Sequence, residues 1–171
     1  MDRNEFKTSI LPIKNKLFRF SLNILNDVAE AEDVVQEVFI KLWNRRDQMD
    51  QINNTEAWCM RVTRNLSIDK MRSKHRRLEP MKEGFDLKDQ SPTPFQKTAG
   101  SDVFSKIKNL MLQLPDKQRM VMQLRDIEGL TYQEVADALE ISLDQVKVNI
   151  YRARLSMRKK LEMINLTPKS I

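Results

Sequence analysis

Cationic side chains dominate two stretches of the sequence, one of which lies near the C-terminus. No acidic residue occurs between Val146 and Leu161, whereas arginines and lysines recur throughout. Arg and Lys hold phosphates, and amide or aromatic groups beside them can contact base edges in the major groove of DNA. A solvated basic helix face is the ordinary alternative, so the surrounding fold has to decide. The candidate DNA-binding residues are Gln145, Lys147, Asn149, Tyr151, Arg152 and Arg154.

The second cationic stretch, residues 61–77, has the composition expected of a surface that binds single-stranded nucleic acid. Asp69 is its only acidic residue. Cations follow the backbone of an unpaired strand, aromatic rings stack on its bases, and amides read exposed base edges. Trp58 has a competing role, because a lone tryptophan belongs more often to a core than to a base platform. The residues that supply these groups are Trp58, Arg61, Arg64, Asn65 and Arg72.

The C-terminal cations follow a helix-turn-helix pattern. Thr131 and Glu134 are spaced as a capping box before a short apolar-faced helix, and Ser142 and Gln145 repeat that device before a longer helix. Gly129 is expected to end the helix that precedes them. A short capped helix, a tight turn and a longer helix are the elements with which this motif reads the major groove. The context favours DNA binding over a merely solvated face.

Three further helices are predicted in the first half of the chain, and the last of them carries the residues that could bind single-stranded nucleic acid. Apolar residues recur at three- and four-residue spacing within 28–47, which predicts an amphipathic helix with an acidic outer face. Residues 6–26 are expected to be helical, with a break or kink at Pro12. A third helix is expected over 55–77, capped by Thr55. Together these helices could enclose a small core.

The expected fold is all-α, with two small helical modules in residues 1–78 and 102–165. Glycine is scarce, at three residues, and the net charge is +6. Both modules are basic, whereas residues 79–101 are acidic, collect proline and lose periodicity, which predicts a flexible linker. Fully extended, this linker would span on the order of 70 Å. Residues 166–171 form a short tail.

Catalytic, metal-binding and membrane-embedded roles find little support. Cys59 and His75 are the only cysteine and histidine, so neither an internal disulfide nor a zinc site of soft ligands can form. His75 has no evident nucleophile partner, and no glycine-rich phosphate loop is present. We therefore predict no enzyme activity, cofactor or metal, and a cytoplasmic protein, since no apolar run could span a bilayer. A metal-dependent nuclease using Glu32, Asp33 and Glu37 is a minor alternative.

Four segments occur in the order and at the separations of one known family. Residues 29–43 (AEAEDVVQEVFIKLW) resemble the polymerase-binding helix of sigma-70 family transcription factors, in the small extracytoplasmic-function (ECF) group. Residues 57–72 resemble the strand-opening helix of that family. Residues 114–119 (LPDKQR) and 128–136 (EGLTYQEVA) resemble its second conserved domain. The resemblance covers almost the whole chain outside the linker.

The resemblance implies a sigma region 2 in residues 1–78 and a sigma region 4 in residues 102–165. The first module would bind clamp helices on the largest subunit of core RNA polymerase through Asp33, Gln36, Glu37 and Lys41. The melted minus-10 promoter strand would contact Trp58, Arg61, Arg64, Asn65 and Arg72. The duplex minus-35 element would contact Gln145, Lys147, Val148, Asn149, Tyr151, Arg152 and Arg154. The family includes members that are held by an anti-sigma factor and members that work without one.

The recognition helix departs from the commonest family pattern. Residues 143–145 (LDQ) replace a usual small or glycine-containing turn, and Val148 and Asn149 replace a frequent Ser-Arg pair. Asn149 could bond to adenine and Val148 could meet a thymine methyl group. The main alternative function is a stand-alone helix-turn-helix regulator whose first module serves for dimerisation. That alternative does not explain the strand-opening helix or the acidic face of residues 28–47.

Overall fold

The computed structural model describes residues 3–78 and 102–164. All regular secondary structure in these two ranges is helical, which confirms the all-α prediction. The linker, residues 79–101, and the tail, residues 166–171, lie outside the described residues. The α-helices are α1 (Arg3–Ile10), α2 (Lys14–Leu25), α3 (Val28–Asn44), α4 (Thr55–Leu78), α5 (Asp102–Leu112), α6 (Asp116–Met122), α7 (Tyr132–Leu139) and α8 (Leu143–Met163).

The core of the first module lies between α2, α3 and α4. Helix α2 contributes Leu17 and Phe20, both fully buried, and packs against α3 and α4. Where α2 meets α4, the hydroxyls of Ser21 and Ser67 are 2.9 Å apart, which gives two buried polar groups a partner. The predicted break at Pro12 is confirmed, because a 3₁₀ turn, Leu11–Ile13, separates α1 from α2.

Helix α3 begins where a capping residue is available and ends earlier than the periodicity predicts. The Asp27 side chain accepts the backbone N–H of Glu30 at 3.1 Å, and this bond lowers the pKa of Asp27 below its usual value. The helix ends at Asn44 instead of Asp47. Residues 44–48 are all polar, so no apolar side chain holds a further α-helical turn against the core, and a 3₁₀ turn, Arg46–Gln51, follows.

The second module places its last two helices as the sequence predicts. Both capping boxes form: Thr131 Oγ1 accepts the N–H of Glu134 at 3.2 Å, and Ser142 Oγ accepts the N–H of Gln145 at 3.2 Å. The reciprocal bonds from the Glu134 and Gln145 side chains are also present. The backbone N–H of Thr131 lowers the pKa of Glu134. Gly129 has a φ of 80°, in the region that favours glycine, and follows a π-helical turn, Gln123–Ile127.

We expect Thr131→Ala to lower the free energy of unfolding by about 1 kcal/mol, because the N–H of Glu134 then loses its acceptor. Urea denaturation monitored by circular dichroism measures this change. Gln133→Ala removes an exposed side chain of α7, with only its exposed hydrogen bond to Asp137, and should stay within about 0.5 kcal/mol of the parent. Equal effects of the two substitutions would show that the cap does not stabilise α7.

The two modules contact one another directly. Helix α7 packs along α4, and α6 meets α2. Arg19 on α2 forms an ion pair with Glu128, which lies 109 positions later in the chain. The polar candidates on α4 therefore lie beside the second module in this structure.

Candidate nucleic-acid interface

The predicted polymerase-binding residues share the outer face of α3. The opposite face of α3 buries Val34, Val38 and Leu42 in the core. The ammonium group of Lys70 lies 2.7 Å from Glu30 and 3.9 Å from Asp33, and its pKa is raised mainly by the bond to Glu30. This face of α3 is thus supported by α4 from one side and remains open to a partner on the other. The predicted residues on it are Asp33, Gln36, Glu37 and Lys41.

Ile40 extends the same face and was missed by the sequence analysis. Its side chain is 60% exposed, although it lies in the apolar run that forms the core side of α3. The helical register could have revealed it, because Ile40 does not fall at a three- or four-residue spacing from Val34 and Val38. An exposed isoleucine between Gln36 and Lys41 gives this charged face an apolar centre, as protein interfaces commonly have.

Three of the predicted single-strand contacts come together in one cleft on the first module. Trp58, Arg61 and Asn65 line a cleft of about 520 Å³. Trp58 is half-buried against the core, and the guanidinium carbon of Arg45 lies 5.8 Å from the centre of its ring. Trp58 therefore serves the core and the cleft at once. Lys41, which the sequence analysis assigned to polymerase, lines this cleft as well.

The other two predicted contacts lie outside this cleft. Arg64 is next to it, and its Nη1 donates to Oδ1 of Asn65 at 3.1 Å. Arg72 lies further along α4, in a shallow groove that it shares with Met71, His75 and Arg76. Arg45 was not predicted as a contact. It comes directly after the end of α3, where no apolar periodicity indicates the direction of its side chain. The cationic surface of α4 is thus long and has its aromatic group at one end.

The predicted duplex-reading residues occupy the solvent side of α8, whose other side packs Val146, Ile150 and Ala153 into the core. Tyr151 is 68% exposed and Val148 is 45% exposed. Asn149 is half-buried, and its Nδ2 donates to the Gln145 carbonyl at 2.8 Å. The side chain of Gln145 closes the capping box. The exposed residues at the start of α8 are Lys147, Val148, Tyr151 and Arg152.

Arg154 differs from the other cations of α8 because it is held by a carboxylate within its own module. Its Nε and Nη2 donate to the two oxygens of Asp126 at 3.1 and 2.6 Å. These bonds raise the pKa of Arg154 above its usual value. Asp126 belongs to the π-helical turn before Gly129, so this pair ties α8 to the preceding element.

The remaining chemistry-bearing groups are arranged as follows. Among the described residues there is no group of three or more His, Cys, Asp or Glu side chains placed to hold a metal ion. Glu32, Asp33 and Glu37 lie on the outer side of α3. Cys59 is fully buried, and burial raises the pKa of its thiol to about 12.

None of the helices in residues 3–78 and 102–164 combines the length and apolarity that a bilayer crossing needs.

Both modules match one family of transcription factors. Residues 12–77 match sigma-70 region 2, and residues 104–157 match sigma-70 region 4. The chain is 30% identical over 169 residues to the ECF RNA polymerase sigma factor SigW of Bacillus subtilis. That alignment covers 94% of this chain and 90% of SigW.

Two solved structures share the fold. The sigma factor RpoE from Bartonella quintana, in complex with the anti-sigma factor NepR, has a TM-score of 0.77 and 24% identity, over 93% of this chain and 98% of that one. CnrH, in complex with the cytosolic domain of CnrY, has a TM-score of 0.69 and 21% identity, over 95% of this chain and 90% of that one. The resemblance drawn from the sequence is confirmed: the chain belongs to the ECF group of the sigma-70 family, whose members are not catalysts but direct transcription initiation with RNA polymerase.

Proposed function

We propose that this sigma factor reads a promoter at two places, the minus-10 element as a melted strand and the minus-35 element as duplex. The observation that carries the proposal is the cleft in which Trp58, Arg61 and Asn65 meet. An aromatic ring, a guanidinium group and an amide supply stacking, backbone neutralisation and edge recognition, which are the interactions that hold an unpaired base. In this proposal residues 1–78 form region 2, residues 102–165 form region 4, and residues 79–101 join them.

Core polymerase is proposed to dock on the outer face of α3. Helical clamp elements of the largest subunit would meet Asp33, Gln36 and Glu37, with Ile40 at the centre of the contact. Carboxylates in such an interface contribute orientation and association rate, while the isoleucine contributes apolar area. Since Lys41 borders both this face and the cleft on α4, strand binding and polymerase binding would occur side by side.

The melted strand is proposed to run along α4 from the Trp58 cleft toward Arg72. These residues are 14 positions apart, so their backbones are separated by about 21 Å along the helix axis. Arg64 lies between them on the same helix. One unstacked base would enter the cleft, and the backbone on either side would be neutralised by the arginines, including Arg45.

A footprint of the polymerase holoenzyme tests strand opening. Arg61→Ala combined with Asn65→Ala should reduce permanganate reactivity of the melted region about tenfold, equivalent to about 1.4 kcal/mol. Lys14→Ala combined with Asn15→Ala is the matched control, because it removes one cation and one amide from the exposed start of α2. Equal reactivity of the two double variants would contradict the assignment of α4 to the melted strand.

Duplex reading is proposed to use the exposed side of α8. Tyr151, Lys147 and Arg152 are presented to solvent at its N-terminal half. The Asn149 amide donates one hydrogen to the Gln145 carbonyl, which leaves its second N–H and its Oδ1 for two hydrogen bonds with adenine. The Arg154 guanidinium, already paired with Asp126, would position α8 and offer only its remaining exposed edge to a phosphate.

We expect Asn149→Ala to relax the preference for a single base pair of the minus-35 element, by about 1 to 3 kcal/mol. Selection of promoters from a randomised library by the variant holoenzyme measures this loss. Arg158→Ala is the control, since it removes an exposed cation later in α8 and should weaken binding to all sequences alike. An unchanged preference in Asn149→Ala would remove Asn149 from direct readout.

An anti-sigma factor is proposed as a further partner. Support comes from the two similar structures, since RpoE is in complex with the anti-sigma factor NepR and CnrH is in complex with the cytosolic domain of CnrY. The apolar side chains of Val148, Tyr151 and Leu155 are exposed on α8, where a protein could cover them together with the DNA-reading surface. Recovery of a stable complex with a protein that also blocks transcription by the holoenzyme would support the proposal, and transcription unaffected by every protein that binds the chain would contradict it.

A further inference from the structure

Three acidic residues of α3 lie in one row along the helix. Glu30, Asp33 and Glu37 are spaced by three and four positions, which places them on the same side of successive turns. All three side chains are partly exposed, so a partner can reach each carboxylate. Asp33 and Glu37 belong to the proposed polymerase-binding face, and Glu30 continues the row toward the start of the helix.

A single lysine of α4 is placed against this row. The Nζ of Lys70 donates to Oε2 of Glu30 at 2.7 Å and lies 3.9 Å from Oδ2 of Asp33. The bond to Glu30 is the main cause that raises the pKa of Lys70, and the charges of Asp33 and Glu37 raise it further. Lys70 is therefore positively charged at neutral pH, and its charge acts on all three carboxylates.

The two distances distinguish two effects of Lys70. At 2.7 Å the contact with Glu30 is a hydrogen bond, which fixes the position of the ammonium group. At 3.9 Å Asp33 is beyond hydrogen-bonding distance, so Lys70 does not orient its carboxylate. Asp33 is still close enough to be strongly affected by the positive charge. Lys70 thus makes the electrostatic potential at Asp33 less negative without ordering that side chain.

We propose that Lys70 weakens the docking of polymerase on α3, because it competes with cations of polymerase for the Asp33 carboxylate. The inference rests on the proposed function, in which the carboxylates of α3 meet a surface of opposite charge. A cation that approaches Asp33 is repelled by the ammonium group already beside it. Lys70 does not contact polymerase in this inference. It acts through Asp33, from the helix assigned to the melted strand.

A second lysine of α4 provides a matched control. Lys74 lies one turn after Lys70, and its Nζ is 3.5 Å from Oδ2 of Asp27, the residue that caps α3. Asp27 precedes Asp33 by six positions, which corresponds to about 9 Å along a helix axis. Charges so far apart on the surface are largely screened at physiological salt. Lys74→Gln therefore makes the same change in net charge as Lys70→Gln and leaves the potential at Asp33 nearly unchanged.

Binding of the full chain to purified core RNA polymerase, measured without DNA, tests the inference. A dye at Lys117→Cys, an exposed position on α6, reports binding by anisotropy, and the native Cys59 is buried and resists labelling. We expect Lys70→Gln to tighten the affinity about threefold, chiefly through faster association, and Lys74→Gln to stay within about 1.5-fold of the parent. Lys70→Arg keeps the charge and should bind like the parent chain. Thermal unfolding establishes that each variant is folded.

Asp33→Asn separates this inference from the proposed function. It should bind core enzyme more weakly than the parent, and adding Lys70→Gln to it should change the affinity by no more than about 1.5-fold. Weaker binding by Asp33→Asn without any gain in Lys70→Gln would leave the docking face on α3 standing and overturn the role of Lys70. Equal gains in Lys70→Gln and Lys74→Gln would assign the effect to net charge and overturn that role as well. If Asp33→Asn bound as tightly as the parent, the docking face and the inference would both be wrong.

Discussion

Reversing two charges on the outer face of α3 should weaken the affinity for core RNA polymerase by about a hundredfold, or roughly 3 kcal/mol. Asp33→Lys combined with Glu37→Lys places ammonium groups where the proposed interface has carboxylates. Asp33 is exposed and Glu37 is half-exposed, and both lie opposite the buried face of the helix, so the fold should persist. Fluorescence anisotropy of the labelled chain, titrated with purified core enzyme, measures the loss.

The matched control carries the same change in net charge on the second module. Asp116→Lys combined with Glu162→Lys replaces two exposed acids that are paired only with nearby residues of their own helices. This control should bind core enzyme within about threefold of the parent, since distant surface charges are largely screened at physiological salt. If it weakened binding as much as the α3 variant does, the effect would be one of overall charge, and α3 would lose its proposed role.

Shortening the linker by about half should abolish open-complex formation while each module still binds its own target. In the proposed arrangement residues 79–101 connect modules on promoter elements about two helical turns of DNA apart, which the full segment can span at an extended length on the order of 70 Å. A linker of half that length would not span the distance between the two promoter elements. Permanganate footprinting of the holoenzyme detects opening, and gel-shift assays follow polymerase and minus-35 binding.

A linker variant of unchanged length tests whether the charge of residues 79–101 matters in addition to their length. Replacing the acids Glu79, Glu83, Asp86 and Asp89 by the corresponding amides keeps the span and removes the negative charge. A partial loss of opening in this variant would indicate that the negative charge of the linker contributes to opening in addition to its length. Full activity of the shortened chain would contradict the tethering role of residues 79–101.

Features governed by neighbouring residues could be predicted from the sequence. The register of α3, with Val34 and Val38 buried, follows from apolar spacing over four turns. Both capping boxes follow from pairs of residues three positions apart, and the break at Pro12 follows from its missing N–H. The likeness to one family then supplied the fold of both modules. Each of these signals is local, so tertiary packing did not have to be known.

Features governed by distant residues could not be predicted. No periodicity connects Arg19 with Glu128 or Arg64 with Glu140. In its own helix Arg19 looks like an ordinary surface cation, and Arg64 looks like a nucleic-acid contact. The Trp58 cleft depends in the same way on Arg45, which belongs to a different element. For the candidate site, the sequence therefore identified the residue types but not which of them are neutralised by the other module.

The ion pair between Arg154 and Asp126 bears on how faithfully promoters are discriminated. Two hydrogen bonds help to hold α8 against the turn before it, so in the proposed function its DNA-facing side would not have to become ordered on binding DNA. A recognition helix that is held rigidly cannot shift to accommodate a mismatched base pair. Each mismatch then costs its full binding free energy. A selective factor that binds few promoters strongly, and ignores close variants of them, is the behaviour such stiffness favours.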